Sequence, residues 1–220
     1  MTVLLAVAGA RGSLYTETFD SGSSVGAIPN GNPVGVTFGG TVSDIPSEQT
    51  VGLLTVGLNI SGGHNGDLYA YLVAPNGTRV QLMNEPGVSS GNTLGASGAG
   101  MNITLQDGMA VNGSIQNETS GSVLNGTYNA AGSLANFNGS AADGTWELFF
   151  ADEVSGGGTS TLNSWSLGIT AVPEPVPMAL GIFAGLMGLW WCLGMCWQTT
   201  AATNKAPSKL DPGQTGRQSF

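Results

Sequence analysis

The chain has 220 residues, of which 9% are charged and 36 are glycine. Average soluble proteins are roughly a quarter charged, so this composition excludes a helical bundle or coiled coil, and the length fits one domain plus an accessory segment. Between residues 12 and 171 twelve acidic side chains face a single base, Arg79, a formal charge of −11, which excludes nucleic acid as a partner and favours cations.

In chain order, the first ten residues are apolar or small and end in Ala8-Gly9-Ala10, the small-residue pattern of a secretory cleavage site, so residues 1–10 read as a partial signal peptide. Leu54, Val56, Leu58 and Ile60 then alternate with Thr55, Gly57 and Asn59, the period-two mark of a half-buried strand. A glycine-rich turn around His64 breaks that strand. Residues 68–74 predict a deeply buried strand, closed by Pro75-Asn76-Gly77-Thr78, and residues 79–83 return with Val80 and Leu82 on one face, which makes a hairpin. Met101, Ile103 and Leu105 alternate again, as do Trp146, Leu148 and Phe150, and finally Trp165, Leu167 and Ile169. Residues 84–100 and 111–138 are rich in Gly, Ser and Asn and read as long surface loops. Short strands without intervening helices predict an all-β, antiparallel jelly-roll β-sandwich over residues 11–171, rather than a parallel sheet.

Prolines 173, 175 and 177 then impose an extended spacer. Residues 176–197 carry no charge, and at about 1.5 Å per residue they would reach roughly 33 Å, enough for one C-terminal transmembrane helix. Trp190, Trp191 and Trp197 suit its interfacial end, and Lys205, Lys209 and Arg217 follow it, which places the acidic body outside and a disordered tail, 198–220, in the cytoplasm. Gly181 and Gly185 form a GxxxG pair within the span. The two cysteines, Cys192 and Cys196, lie in it as well, so the body has neither disulfide nor thiolate metal site.

No catalytic centre is legible. A Ser-His-Asp triad needs a histidine base, and the sole candidate, His64, sits in a glycine-rich turn with no Gly-x-Ser-x-Gly elbow after it. Glu147, Asp152 and Glu153 are the nearest approach to a paired-carboxylate site, but Glu147 alternates with the buried face of its strand and points to solvent. Asp67, Asp107, Asp143 and Asp152 all fall at strand-loop junctions, where hard oxygen ligands for a structural calcium ion would converge. Tyr69, Tyr71 and Phe149 on a strand face offer an alternative use, as a carbohydrate-binding surface. Seven Asn-x-Ser/Thr triplets, at Asn59, Asn76, Asn102, Asn112, Asn117, Asn125 and Asn138, indicate surface exposure.

Two stretches carry resemblances. His64-Asn65-Gly66-Asp67-Leu68, Tyr71-Leu72-Val73-Ala74-Pro75-Asn76-Gly77-Thr78, Phe137-Asn138-Gly139, Asp143-Gly144-Thr145-Trp146-Glu147-Leu148 with Asp152, and Ser164-Trp165-Ser166-Leu167 together resemble the P domain, or Homo B domain, of subtilisin-like proprotein convertases. The resemblance implies a β jelly roll in which the acids matching Asp67, Asp107 and Asp152 lie near calcium sites in some members. In the convertases this domain stabilises a neighbouring subtilisin-like catalytic domain; no such domain is present here, so protease activity does not carry over. Pro173, Glu174 and Pro175 in the 172–175 linker, followed by the apolar span, resemble the PEP-CTERM sorting signal of exported bacterial proteins. That resemblance implies processing by an exosortase and delivery to the cell surface or extracellular matrix.

The combined expectation is an exported, surface-anchored or matrix-targeted, non-catalytic β-sandwich with a structural or adhesive role, whose partners are the membrane, an exosortase-type enzyme and extracellular polysaccharide. The alternatives are an accessory P domain that binds a subtilisin-like serine protease, and a carbohydrate-binding module.

Overall fold

The computed structural model describes residues 12–108 and 110–173. Ten strands make up the fold: β1 (Ser13–Phe19), β2 (Gly26–Ile28), β3 (Asn32–Val42), β4 (Gln49–Gly62), β5 (Leu68–Val73), β6 (Arg79–Asn84), β7 (Met101–Gln106), β8 (Leu124–Asn129), β9 (Gly144–Asp152) and β10 (Ser160–Pro173). The helical pieces among the described residues are short 3-10 turns, so the absence of a 3.6-residue period in the sequence corresponds to an all-β body. None of its helices is long and apolar enough to cross a membrane. The predicted signal peptide, Glu174 and Pro175 of the sorting motif, the apolar span and the tail lie outside the described residues; Pro173 ends β10.

The strands form two open sheets, one in the order β1-β10-β4-β7-β8 with β2 added against β10, the other β3-β9-β5-β6. Alternation places Leu54, Val56, Leu58 and Ile60 of β4 and Trp165, Leu167 and Ile169 of β10 in one buried cluster with Leu68, Ala70 and Leu72 of β5 and Trp146, Leu148 and Phe150 of β9. Two tryptophans anchor this core. Trp165 packs on Phe19 with ring centroids 4.3 Å apart and donates its indole N–H to the Ser24 carbonyl at 2.9 Å; Trp146 meets Phe137 edge-on at 5.4 Å. A buried indole N–H without an acceptor is costly, so the Ser24 contact fixes the β1–β2 turn as well as the ring.

Two features depart from the sequence expectation. The strand β8 lies within residues 111–138, read as loop, and it pairs with β7 in parallel, the single exception to antiparallel pairing among the described strands. Its sequence, LNGTYN, buries only Leu124 and Tyr128. The long loop ahead of it is pinned from inside, where the Tyr128 hydroxyl donates to Glu118 Oε2 at 2.9 Å and Glu118 Oε1 accepts the Ser120 N–H at 2.7 Å.

The strands also define two poles. β4 and β10 pair from Ser160 opposite Gly62 at one end to Pro173 opposite Gln49 at the other. β1 begins opposite Ala171, so the first and last described residues leave the body at the same pole. The opposite pole carries the residues of the candidate site.

Burial, reinforced by the Glu118 hydrogen bond and charge, pushes the Tyr128 hydroxyl up to about 12. An unfolded tyrosine ionises near pH 10, so the stability this group contributes is intact below that value and is lost as pH rises through about 12. Chemical denaturation at stepped alkaline pH is therefore expected to show a steeper loss of stability for the wild type than for Tyr128→Phe; parallel slopes would contradict the buried hydrogen bond.

Candidate functional site

β9 is the strand that positions the site. It runs through the centre of the smaller sheet, between β3 and β5, and its last residue, Asp152, pairs with Asn32 on one side and Leu68 on the other. Asp152 is fully buried. Its Oδ1 accepts the Gly31 and Val154 backbone N–H groups at 3.2 and 3.3 Å, while Oδ2 is buried with no hydrogen-bond partner.

Asp67 lies beside it, at the end of the 3-10 turn Asn65–Asp67 that joins β4 to β5, and is 4% exposed. Its Oδ1 is 3.0 Å from His64 Nδ1, and its carbonyl accepts the Glu153 N–H at 2.8 Å. The loop after β9 closes directly over this carboxylate: a Cβ on Gly157 would stand 2.6 Å from Asp67 Oδ2, so only glycine passes there. Asn65, fully buried, donates from Nδ2 to the Gly100 carbonyl at 2.9 Å and leaves Oδ1 unpartnered; Ser160 Oγ, at the first residue of β10, is buried and unpartnered too. Three orphaned oxygens thus lie at one pole, where buried polar atoms ordinarily find partners.

The electrostatics follow from burial. Desolvation raises the Asp152 carboxyl above the ordinary carboxylate range, and the neighbouring Asp67 charge raises it further, against the lowering effect of the two backbone N–H bonds and of His64. Two carboxylates held in a desolvated pocket with one imidazole at their edge constitute an anionic site short of positive charge. The donor set is all hard oxygen, which suits calcium and not a soft metal. Asp67 and Asp152 are the side chains that would hold such an ion.

The other two acids singled out by sequence are not part of this group. Asp107 caps the 3-10 turn Leu134–Phe137, where its Oδ1 accepts the Leu134 N–H at 3.0 Å and its Oδ2 accepts the Ala135 N–H at 2.7 Å and the Ser133 hydroxyl at 2.8 Å. Asp143 precedes β9 while Asp152 ends it, and nine residues of strand at about 3.3 Å each put them some 30 Å apart, at opposite poles. Acids at the two ends of one strand cannot converge, and among the described residues no three His, Cys, Asp or Glu side chains form a ready-made metal cluster. Asn65 and Ser160 were not legible as site residues, although Asn65 lies within the His64–Leu68 motif.

His64 and Asp67 have the form of a base and its orienting carboxylate, yet no hydroxyl among the described residues bonds the imidazole to complete a nucleophilic pair. The aromatic face is also committed elsewhere. Tyr71 and Phe149, paired across β5 and β9, stack on one another at 4.5 Å and 11°, and Arg79 from β6 lies 4.9 Å over Tyr71. Phe149 in turn covers Gly35, whose φ of +66° and lack of a Cβ let the ring lie on the β3 bulge. Rings turned on one another present little flat surface to a sugar.

The two sheets and this carboxylate pole define an all-β module. The family model for the proprotein convertase P-domain matches residues 51–169, more than half of the chain, and the chain belongs to that family. Among solved structures it is similar to the serine protease of Aeromonas sobria in complex with its chaperone, at 20% identity and a TM-score of 0.43, and to the same protease alone, at 20% identity and 0.42. In each case 74% of this chain and 27% of the protease chain are covered, so this chain spans about a quarter of the length of the proteases it matches. No curated protein sequence matches it significantly.

In metal-free buffer the ionised Asp152 opposes folding. Because its carboxyl is raised in the folded state, the folded protein holds that proton more tightly, and stability drains as pH rises from the ordinary carboxylate value, about 4, through the raised one. Asp152→Asn, which keeps an oxygen for Gly31 and Val154, is expected to gain stability relative to wild type as pH is raised from about 4 to 7 in EDTA. A stability difference that stays flat over that range would contradict the buried-charge account.

Proposed function

We propose that this chain is a non-catalytic accessory P domain that docks on and stabilises a separately encoded subtilisin-like serine protease. The observation that carries the reading is the family match across residues 51–169, on a body where His64 is engaged by Asp67 rather than by a nucleophile. An all-β module without acid-base or nucleophilic machinery acts by binding, and a partner that binds only the folded protease stabilises it by mass action. Setting aside β2 and β8, the strand orders β1-β10-β4-β7 and β3-β9-β5-β6 support the jelly-roll connectivity expected of the family.

Calcium completes the far pole in this proposal. Bound by Asp67 and Asp152, the ion supplies positive charge to the two buried carboxylates beneath the Gly157 loop. The acids Asp107 and Asp143 have no part in it. Export is the second element of the reading: residues 1–10 act as the end of a signal peptide, and the Pro173-Glu174-Pro175 motif with the apolar span delivers the protein to the cell envelope or matrix through an exosortase. That destination places a calcium-dependent module where the ion is abundant. A structural or adhesive role at the surface remains the second reading, for which the inference below offers a specific face.

Full-length protein, affinity-tagged and recovered from culture of the producing organism, tests the protease assignment. A co-purifying chain in stoichiometric amount that reacts with a fluorophosphonate serine-hydrolase probe is expected. Recovery without any probe-reactive partner, or with matrix polymer alone, would reject it.

A further inference from the structure

The outer face of the larger sheet is organised in a way that the protease reading does not use. Register places Thr18, Ser166, Gly57, Thr104 and Thr127 in one row across β1, β10, β4, β7 and β8. Two residues along, Ser164, Asn59, Asn102 and Asn125 form a second row across β10, β4, β7 and β8. Three of the Asn-x-Ser/Thr triplets, those beginning at Asn59, Asn102 and Asn125, are therefore one cross-strand ladder. Neighbouring strands stand about 4.8 Å apart, so the second row repeats an amide or hydroxyl at that interval and the first does so except at Gly57.

The members of these rows on β1, β10, β4 and β7 line a groove of about 190 Å³, and Asn125 and Thr127 of β8 extend the rows beyond it. Gly57 deepens it, since a Cβ there would collide with Ser166 Oγ. Leu58, Ile103 and Trp165, also at the groove, turn their buried side chains to the core. The two rows contain no charged and no aromatic residue, although the body between residues 12 and 171 carries twelve acids. Among the described residues, Asn102, Thr104, Ser164 and Ser166 make no side-chain hydrogen bond, and Asn59 Oδ1 is held by Asn163 Nδ2 at 3.0 Å, which leaves its own amide N–H groups free.

The chemistry selects the occupant. Without a base the groove cannot neutralise a polyanion, and without apolar or aromatic anchors it lacks the core of a protein interface. Amides and hydroxyls in register offer a donor and an acceptor at every strand, which matches the vicinal hydroxyls of a chain of uncharged sugars laid across the strands. We infer that the outer face of the larger sheet binds a neutral polysaccharide through the Thr18–Thr127 and Ser164–Asn125 rows. This assignment is independent of the protease partner, and it moves the carbohydrate surface from Tyr69, Tyr71 and Phe149 to the opposite sheet.

Affinity electrophoresis of the full-length protein in gels containing hydroxyethyl cellulose, galactomannan or dextran, with alginate as the acidic comparison, tests the inference. Retardation by at least one neutral polymer and not by alginate is expected. The double variant Asn102→Asp/Thr104→Glu and the conservative Ser164→Ala/Ser166→Ala are each expected to weaken retardation about ten-fold, the equivalent of one or two net hydrogen bonds. Gln81→Glu, on the smaller sheet, is expected to leave it unchanged, and circular dichroism checks that every variant is folded. No retardation by any neutral polymer, retardation by alginate alone, or equal retardation of all folded variants would overturn the inference. So would light scattering in which the row variants dissociate a dimer, which would assign the face to a second copy of the chain.

Discussion

Asp152 sets the terms for one end of this molecule. A carboxylate that ends the central strand of a sheet, loses all contact with water and keeps one oxygen unpartnered is among the costliest groups a small β body can hold. The two backbone N–H groups that it accepts come from Gly31 ahead of β3 and Val154 after β9, so the same carboxylate sutures two loops to the strand. Removing it would untie both loops; leaving it ionised beside Asp67 repels. A body with Arg79 as its single base, placed on the other side of the smaller sheet over Tyr71, has no internal cation to resolve that conflict. An external one would resolve it, and the two carboxylates are the hard-oxygen ligands that the proposed calcium ion would take.

Other features arrange themselves around this pole. The first and last described residues leave the body at the end opposite the carboxylate pole. Acids elsewhere have separate work: Asp107 holds the turn before β9, and Glu118 holds Tyr128 beneath the long loop ahead of β8. The two outer faces then differ in kind. That of the smaller sheet is covered by its own aromatic ladder from Arg79 through Tyr71 and Phe149 to Gly35, and that of the larger is a lattice of amides and hydroxyls without charge.

Much of the fold was legible because alternation is a direct image of burial. Leu54 to Ile60, Trp146 to Phe150 and Trp165 to Ile169 give themselves away, and the Pro75–Thr78 turn fixes the hairpin of β5 and β6. The strand β8 was not legible, since two buried side chains in LNGTYN make no pattern and its ladder is set by pairing with β7. Strands β1 and β3 were hidden for related reasons. The edge strand β1 leaves Leu14 in solvent while burying Phe19, and β3 is interrupted by the bulge at Gly35. Of the four acids placed together by sequence, Asp67 and Asp152 are neighbours, while Asp143 stands a whole strand length away. Junction position alone carries no information about which end of a sandwich a junction occupies; pairing register supplies it. The asparagine ladder was invisible for the same reason, because its members lie dozens of residues apart and meet only through register.

Thermal unfolding of the full-length protein tests most directly the proposal that the Asp67–Asp152 pole takes a hard cation. With millimolar calcium in place of EDTA, saturation to about a hundred times the dissociation constant is worth about 2.7 kcal/mol, a rise of roughly 5–10 °C in Tm for a body of this size. The account predicts that rise for the wild type and its loss in Asp152→Asn. Superimposable melting curves with calcium and with EDTA in the wild type would contradict it.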